Sequence, residues 1–238
     1  LYSSAASDVY KRQHKHLAQE PDLDLVLFLG DYIYEYGITP ENMWRQGAEV
    51  GPAHSVEAVT LEQYRLRYSL FKTDQHLQDV HARAAAAVIW DDHEVQNNYT
   101  GKTPAVSTPD PNFRTRIAAA YRAFYENMPL DVEALPQGDT SDITTSIDVG
   151  NLIRFALLDS RQFRGPAPVD EVDRTSPQRT ILGADQEAWV ANQLRTSSAT
   201  WNILANGVVL SPISPDKVDM WDGYPAAQAR MLEAMSLS

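Results

Sequence analysis

A chain of 238 residues, 43% hydrophobic and 22% charged, is long enough to bury a sizeable core and too hydrophobic to be disordered. Its formal charge of −12, from 32 acids against 20 bases, disfavours sequence-blind binding to nucleic-acid phosphates, and it serves simple solubility or else suits a site loaded with cations. The absence of cysteine excludes disulfides and thiolate metal sites within the chain, and no apolar run approaches the roughly 20 residues that span a bilayer.

In chain order, Leu1 to Gln13 (LYSSAASDVYKRQ) lacks periodicity and reads as a non-native leader of the adapter read-through type, so that the chain proper starts near His14. These opening residues also lack the basic start and apolar stretch of a signal peptide. Leu17 and Ala18 close a short amphipathic helix before the turn at Pro21-Asp22. Leu25 to Leu29 is an unbroken apolar run ended by Gly30, the pattern of a strand buried on both faces. A loop from Gly37 to Pro52 contains Trp44 and Arg45. Thr60 and Gln63 stand at capping-box spacing ahead of a helix with Leu61, Tyr64, Tyr68 and Phe71 on one face. Thr73 is the expected cap of a second helix through Leu77, Val80 and His81, which leads into a second strand, Ala84 to Trp90. Asn112 to Asn127 is the clearest helix, with Phe113, Ile117, Tyr121, Phe124 and Met128 repeating every three or four residues and Pro129 ending it.

Ile143 to Val149 and Leu152 to Leu158 flank Gly150 as a hairpin. A helix from Ala184 to Leu194 turns Trp189, Val190 and Leu194 inward. Trp201 to Ala205 is another strand, and Pro225 to Met235 a helix with proline in its first turn. Neither a repeat nor a linker divides the chain. Strands that alternate with helices, together with one hairpin, give a single α/β domain with a mixed sheet in a layered sandwich.

Both apolar strands end in ionisable residues, and the carboxyl ends of central strands are where α/β sheets place their ligand crevices. Asp31 and Tyr34 follow the first. Asp91, Asp92, His93, Glu94 and, further on, Asn97 follow the second. Carboxylate, phenolate, imidazole and amide oxygen suit Fe³⁺, Mn²⁺ or Ca²⁺. A carboxylate can bridge two such ions, and a dinuclear site about 3.5–4 Å across activates water for attack on phosphorus. An aspartate after a strand also caps helices and closes turns, and a charged tetrad also occurs on solvated loops. Four consecutive ionisable groups at a buried strand end nevertheless need partners.

Four segments occur in order: Phe28-Leu-Gly-Asp-Tyr-Ile-Tyr-Glu-Tyr36, Trp90-Asp-Asp-His-Glu-Val-Gln-Asn-Asn-Tyr99, Leu158-Asp-Ser-Arg-Gln-Phe-Arg164 and Trp221-Asp-Gly-Tyr-Pro225. In these the chain, from about His14 to Met235, resembles the PhoD-type alkaline phosphatases of the metallophosphoesterase superfamily. The resemblance implies a four-layer α/β/β/α sandwich that hydrolyses small phosphate mono- and diesters at a ferric and calcium site. It also implies export across the bacterial cytoplasmic membrane, and so a secreted or periplasmic parent protein. By position, Asp31 is then the bridging carboxylate, Tyr34 the phenolate on the ferric ion and Asp92 a ligand of the second ion. His93 is the catalytic residue that contacts the phosphoryl oxygens or protonates the leaving alkoxide. Asp91 and Asn97 are further candidates for the metal or its surroundings. Arg161 either meets phosphate through its planar fork or pairs with Asp159 or another acid. Trp221 and Tyr224 are assigned to packing.

The family pattern has an upstream Ser-Cys segment whose cysteine binds iron and a downstream Gly-Asp-x-His segment, and this chain contains neither. The expectation is therefore a fragment, residues 14–238 being a partial catalytic domain with an incomplete ligand set and little activity by itself. Two other classes fit the same residues: a non-catalytic calcium-binding or cell-surface module, and an esterase or phosphotriesterase on the same scaffold. Other divalent metals could replace the iron–calcium pair.

Overall fold

The computed structural model describes residues 8–39, 50–105 and 108–236. Trp44 and Arg45, placed in a loop by the sequence, lie outside the described residues. The chain divides into two compact units, Leu1–Asn97 with Asp110–Asp142, and Asn98–Pro109 with Ile143–Ser238.

The first unit carries helix α1 (Asp8–Leu17), strand β1 (Leu25–Leu29), α2 (Leu61–Phe71), α3 (Gln75–Arg83), β2 (Ala85–Ile89) and α4 (Phe113–Asn127). Helix α1 begins at Asp8, inside the stretch set aside as a leader. Strands β1 and β2 pair in parallel with Phe28 opposite Val88 and Leu29 opposite Ile89, so both carboxyl ends finish at the same level. That alignment places the Gly30-Asp31 turn beside Asp91. The approach is so close that a Cβ on Gly30 would lie 2.5 Å from Cβ of Asp91, and Gly30 also has φ +91°. Only glycine combines that backbone with that contact.

The capping box of α2 forms as its spacing predicts: Gln63 N–H donates to Thr60 Oγ1, and the Gln63 side chain accepts from Thr60 N–H. The next cap differs from expectation. Asp74, rather than Thr73, accepts from Leu77 N–H at the start of α3, while Thr73 Oγ1 donates back to the Leu70 carbonyl. A carboxylate one residue later outcompetes a hydroxyl already committed to the preceding helix. The burial of β1 differs too. Only Val26 is buried and Leu29 is 43% exposed, whereas Ala87, Val88 and Ile89 of β2 are buried. Among the described residues the sheet has only these two strands, so neither is a central strand. The core lies where α2, α4 and β2 meet: Trp90 stacks on Tyr121 at 4.1 Å and meets Phe124 edge-on, with Tyr64, Tyr68 and Ile117 fully buried.

The second unit holds the hairpin β3 (Thr145–Val149) and β4 (Ile153–Leu157), the short helix α5 (Glu171–Arg174), α6 (Ala184–Thr196), β5 (Trp201–Ala205) and α7 (Pro225–Ser236). β3 pairs with β4 antiparallel and β4 with β5 in parallel, which makes the expected mixed sheet. Val190 and Leu194 enter the core with Leu158, Leu182, Trp221 and Met231, and Trp189 packs against it partly buried. Tyr224 is fully buried, donates to the Gly165 carbonyl at 2.7 Å and lies against the guanidinium groups of Arg164 and Arg179. The packing roles expected for Trp221 and Tyr224 therefore hold.

Candidate metal centre

Two loops converge at the aligned ends of β1 and β2, and buried glutamates tie them together. Glu94 is 1% exposed and accepts three backbone N–H groups: Oε2 takes Asp31 N at 3.0 Å and Asp91 N at 2.8 Å, and Oε1 takes Tyr32 N at 2.5 Å. One carboxylate thus spans both strand ends. Glu35, with no exposed surface, does the same for the histidine. Its Oε2 lies 2.7 Å from His93 Nδ1, and its Oε1 accepts Asn97 N at 2.7 Å. The Asp92–Gln96 turn closes on itself through Val95 and Gln96 N–H to the Asp92 carbonyl. It is pinned from outside as Tyr64 Oη and Arg116 both donate to the Val95 carbonyl.

These ties bring Asp31, Asp92 and His93 together, each offering a ligand atom within 4.8 Å of the others. Tyr34 joins them: its Oη donates to Asp31 Oδ2 at 3.1 Å, and its ring packs 4.1 Å from the His93 imidazole. Asp31 adopts φ +52°, a left-handed backbone uncommon outside glycine and of the kind that clusters at functional sites. Asp91 is 7% exposed and joins the framework through its N–H to Glu94, outside the trio. Asn97 contributes its backbone N–H to Glu35. Arg161 lies in the second unit, where its buried guanidinium makes two 2.8 Å bonds to Asp219, the ion-pair alternative of the sequence reading. Asp159 accepts instead from the backbone N–H of Arg161 and Gln162.

The electrostatics are those of a site crowded with acids. Burial, reinforced by the Asp92, Asp91 and Glu94 carboxylates, pushes the Asp31 carboxyl up to about 9. Burial also raises Glu94 to about 7, against the opposing pull of its three amide donors. Burial alone would lower His93, but the Glu35 hydrogen bond and the charges of Asp92, Glu35 and Asp31 prevail and lift it to about 9. Burial and the neighbouring Asp31 carry the Tyr34 phenol far above its ordinary value. Crowding and burial thus disfavour the charged forms of these carboxyl groups. The residues fit a hard cation: Asp31 Oδ1 is buried and has no hydrogen-bond partner, a free acceptor amid oxygen and imidazole donors.

Sequence reasoning singled out Asp31, Tyr34, Asp92 and His93 but gave no role to Glu35 and Glu94, although both stand in the two strand-end segments. The available signal for Glu35 is an acid in the apolar and aromatic run Ile33-Tyr34-Glu35-Tyr36, and that for Glu94 is its place among the four consecutive ionisable groups at the end of the second strand.

Two parallel strands of an α/β chain thus deliver two aspartates, a tyrosine and a histidine to one point. The chain matches the PhoD-like phosphatase family over residues 4–237, and it belongs to that family. It is 41% identical over 239 residues to alkaline phosphatase D of Bacillus subtilis (strain 168), an alignment that covers 94% of this chain and 40% of that protein. A solved structure described as "Structure of PhoD" superposes with a TM-score of 0.85 at 37% identity, covering 95% of this chain and 45% of that one. The chain therefore spans less than half the length of these relatives.

Proposed function

We propose that this chain carries the ligand core of a metal-dependent phosphoric ester hydrolase, an alkaline phosphatase or phosphodiesterase acting on small phosphate mono- or diesters. The convergence of Asp31, Asp92 and His93 around an unpartnered buried carboxylate oxygen carries the reading, and membership of the PhoD-like phosphatase family supports it. The family resemblance points to Fe³⁺ and Ca²⁺, which Asp31, Asp92 and a deprotonated Tyr34 would hold. When bound, such ions supply Lewis-acid polarisation of the phosphoryl group and a nucleophile at neutral pH.

The chain's own residues contribute orientation and a proton. Glu35 takes Nδ1 of His93, so Nε2 is the nitrogen left to face a phosphoryl or leaving-group oxygen. A histidine held protonated by its acid neighbours can donate there as negative charge develops. Tyr34 must lose its proton, now given to Asp31, before it can bind a ferric ion. A calcium ion alone takes about 6–8 oxygen ligands. The four side chains gathered among the described residues offer fewer, so we propose that this chain by itself binds metal weakly and turns over slowly. A secreted or periplasmic location belongs to the same reading. No described helix is long and apolar enough to cross a membrane.

Ferric ion added to the chain should produce the visible colour of a tyrosinate–iron bond, absent in Tyr34→Phe. Hydrolysis of p-nitrophenyl phosphate and bis-p-nitrophenyl phosphate should be slight, metal-dependent and lost in Asp31→Asn. Turnover that survives Asp31→Asn would overturn the site assignment. Calcium-dependent stabilisation with neither colour nor turnover would favour a non-catalytic calcium module, and rapid turnover would refute the incomplete ligand set.

A further inference from the structure

Within the first unit, a groove of about 650 Å³ runs along α3 and the start of β2, with the end of α4 as its far wall. Its volume falls within the roughly 300–1,000 Å³ typical of small-molecule sites. Ala84, Ala85 and Ala86 form one side, small side chains that leave the space open, and Met128 supplies an adaptable apolar surface opposite.

Lys72 stands on the same wall, half-buried at the C-terminus of α2. Its ammonium donates to the Asn127 carbonyl, another wall residue, and retains further N–H donors. Among the described residues no carboxylate stands within ion-pair distance of it, and burial pulls its pKa down. Glu126 also lines the groove, but Arg65 holds both its oxygens at 2.7 and 2.8 Å and Arg122 adds a bond at 2.6 Å. It is therefore already neutralised and does not compete for the ammonium. His81 is fixed as wall: its Nε2 lies 2.8 Å from Tyr32 Oη, its ring stacks on Phe28 at 5.0 Å, and burial, then the charge of Lys72, lowers its pKa.

We propose that this groove binds a small organic monoanion, an aryl or alkyl carboxylate, with its charged end on Lys72 Nζ and its apolar body over Ala84–Ala86 and Met128. One half-buried cation without an acid partner is matched by one negative charge. A dianionic phosphate would be left with uncompensated charge on a chain whose net charge is −12. The site is separate from the strand-end ligands and does not rest on their chemistry.

Titration of the ¹⁵N-labelled chain with naphthalene carboxylate, followed by NMR, tests the assignment. Saturable shifts should centre on Leu77–Ala86 and Met128. The isosteric neutral carboxamide should bind about tenfold more weakly, the worth of one hydrogen bond to a charged group. Lys72→Met should weaken the carboxylate similarly and Lys72→Arg should preserve it. Ala85→Leu, which fills the groove and leaves the lysine, should abolish binding. Equal affinity for carboxylate and carboxamide, unchanged binding in Ala85→Leu, absence of saturable shifts, or tighter binding of inorganic phosphate would each overturn the proposal. The carboxamide and Ala85→Leu arms decide the matter even where Lys72→Met fails to fold.

Discussion

At the scale of single residues, the candidate site is held by two glutamates that lie outside the Asp31–Asp92–His93 group. Glu94 accepts from three N–H groups drawn from both strand ends, those of Tyr32 and Asp91 buried and that of Asp31 partly buried. Glu94→Ala leaves all three without an acceptor, at about 1–3 kcal/mol each less whatever water can recover. A loss of about 3–5 kcal/mol in urea unfolding is expected. Glu94→Gln, which keeps one carbonyl oxygen, should lose roughly half as much. A change near zero for Glu94→Ala would show that the loops are held by something else. Asp31, Tyr34, Asp92 and His93 were legible because a polar residue at the end of an apolar run announces its place. Glu35 and Glu94 were not, because a backbone-accepting role depends on N–H groups some 60 residues away in the chain. The Gly30 contact with Asp91 was hidden for the same reason, since it exists only once β1 and β2 are in register.

At the scale of elements, local chemistry was readable almost throughout, and the exceptions were decided by competition between neighbours. Thr60 and Gln63 cap α2 as their spacing predicts, because nothing nearby rivals them. At the next helix two cap residues are adjacent. Thr73 is drawn back to the Leu70 carbonyl, which leaves Asp74 to receive Leu77 N–H. Asp74→Ala should therefore cost about 1 kcal/mol, and Thr73→Ala clearly less. Thermal unfolding of the two variants reverses in order if Thr73 is the true cap. The expected full burial of β1 failed for a different reason. An apolar run reports that a strand wants cover, and the number of strands beside it is a property of the whole sheet. Among the described residues β1 pairs only with β2, and Leu29 at its end is left exposed.

At the scale of the whole molecule, the acid-rich site makes stability depend on pH in a direction that metal should reverse. Asp31 rises from 3.8 to about 9 and Glu94 from 4.5 to about 7. The folded state therefore keeps protons that the unfolded chain has already released, and stability falls as pH climbs through those windows. His93, raised from 6.5 to about 9, adds stability below 6.5 that is lost as pH passes 9, which has the same sign. Glu126, lowered to about 2 by Arg65 and Arg122, acts only below its ordinary value of 4.5 and does not oppose this trend. In a chelator, the melting temperature should thus decline steadily from pH 5 to pH 9. Calcium should raise it, and by more at pH 9 than at pH 6, because the cation replaces the protons the acids would otherwise hold. Asp31→Asn tolerates the left-handed backbone and carries no charge, so it should flatten the decline and remove most of the calcium effect. A metal-free melting temperature that rises toward pH 9, or a calcium effect undiminished in Asp31→Asn, would mean that the strand-end acids are neutralised by another route. The protein's net charge of −12 would then be a solubility feature of its surface rather than a counterpart to bound metal.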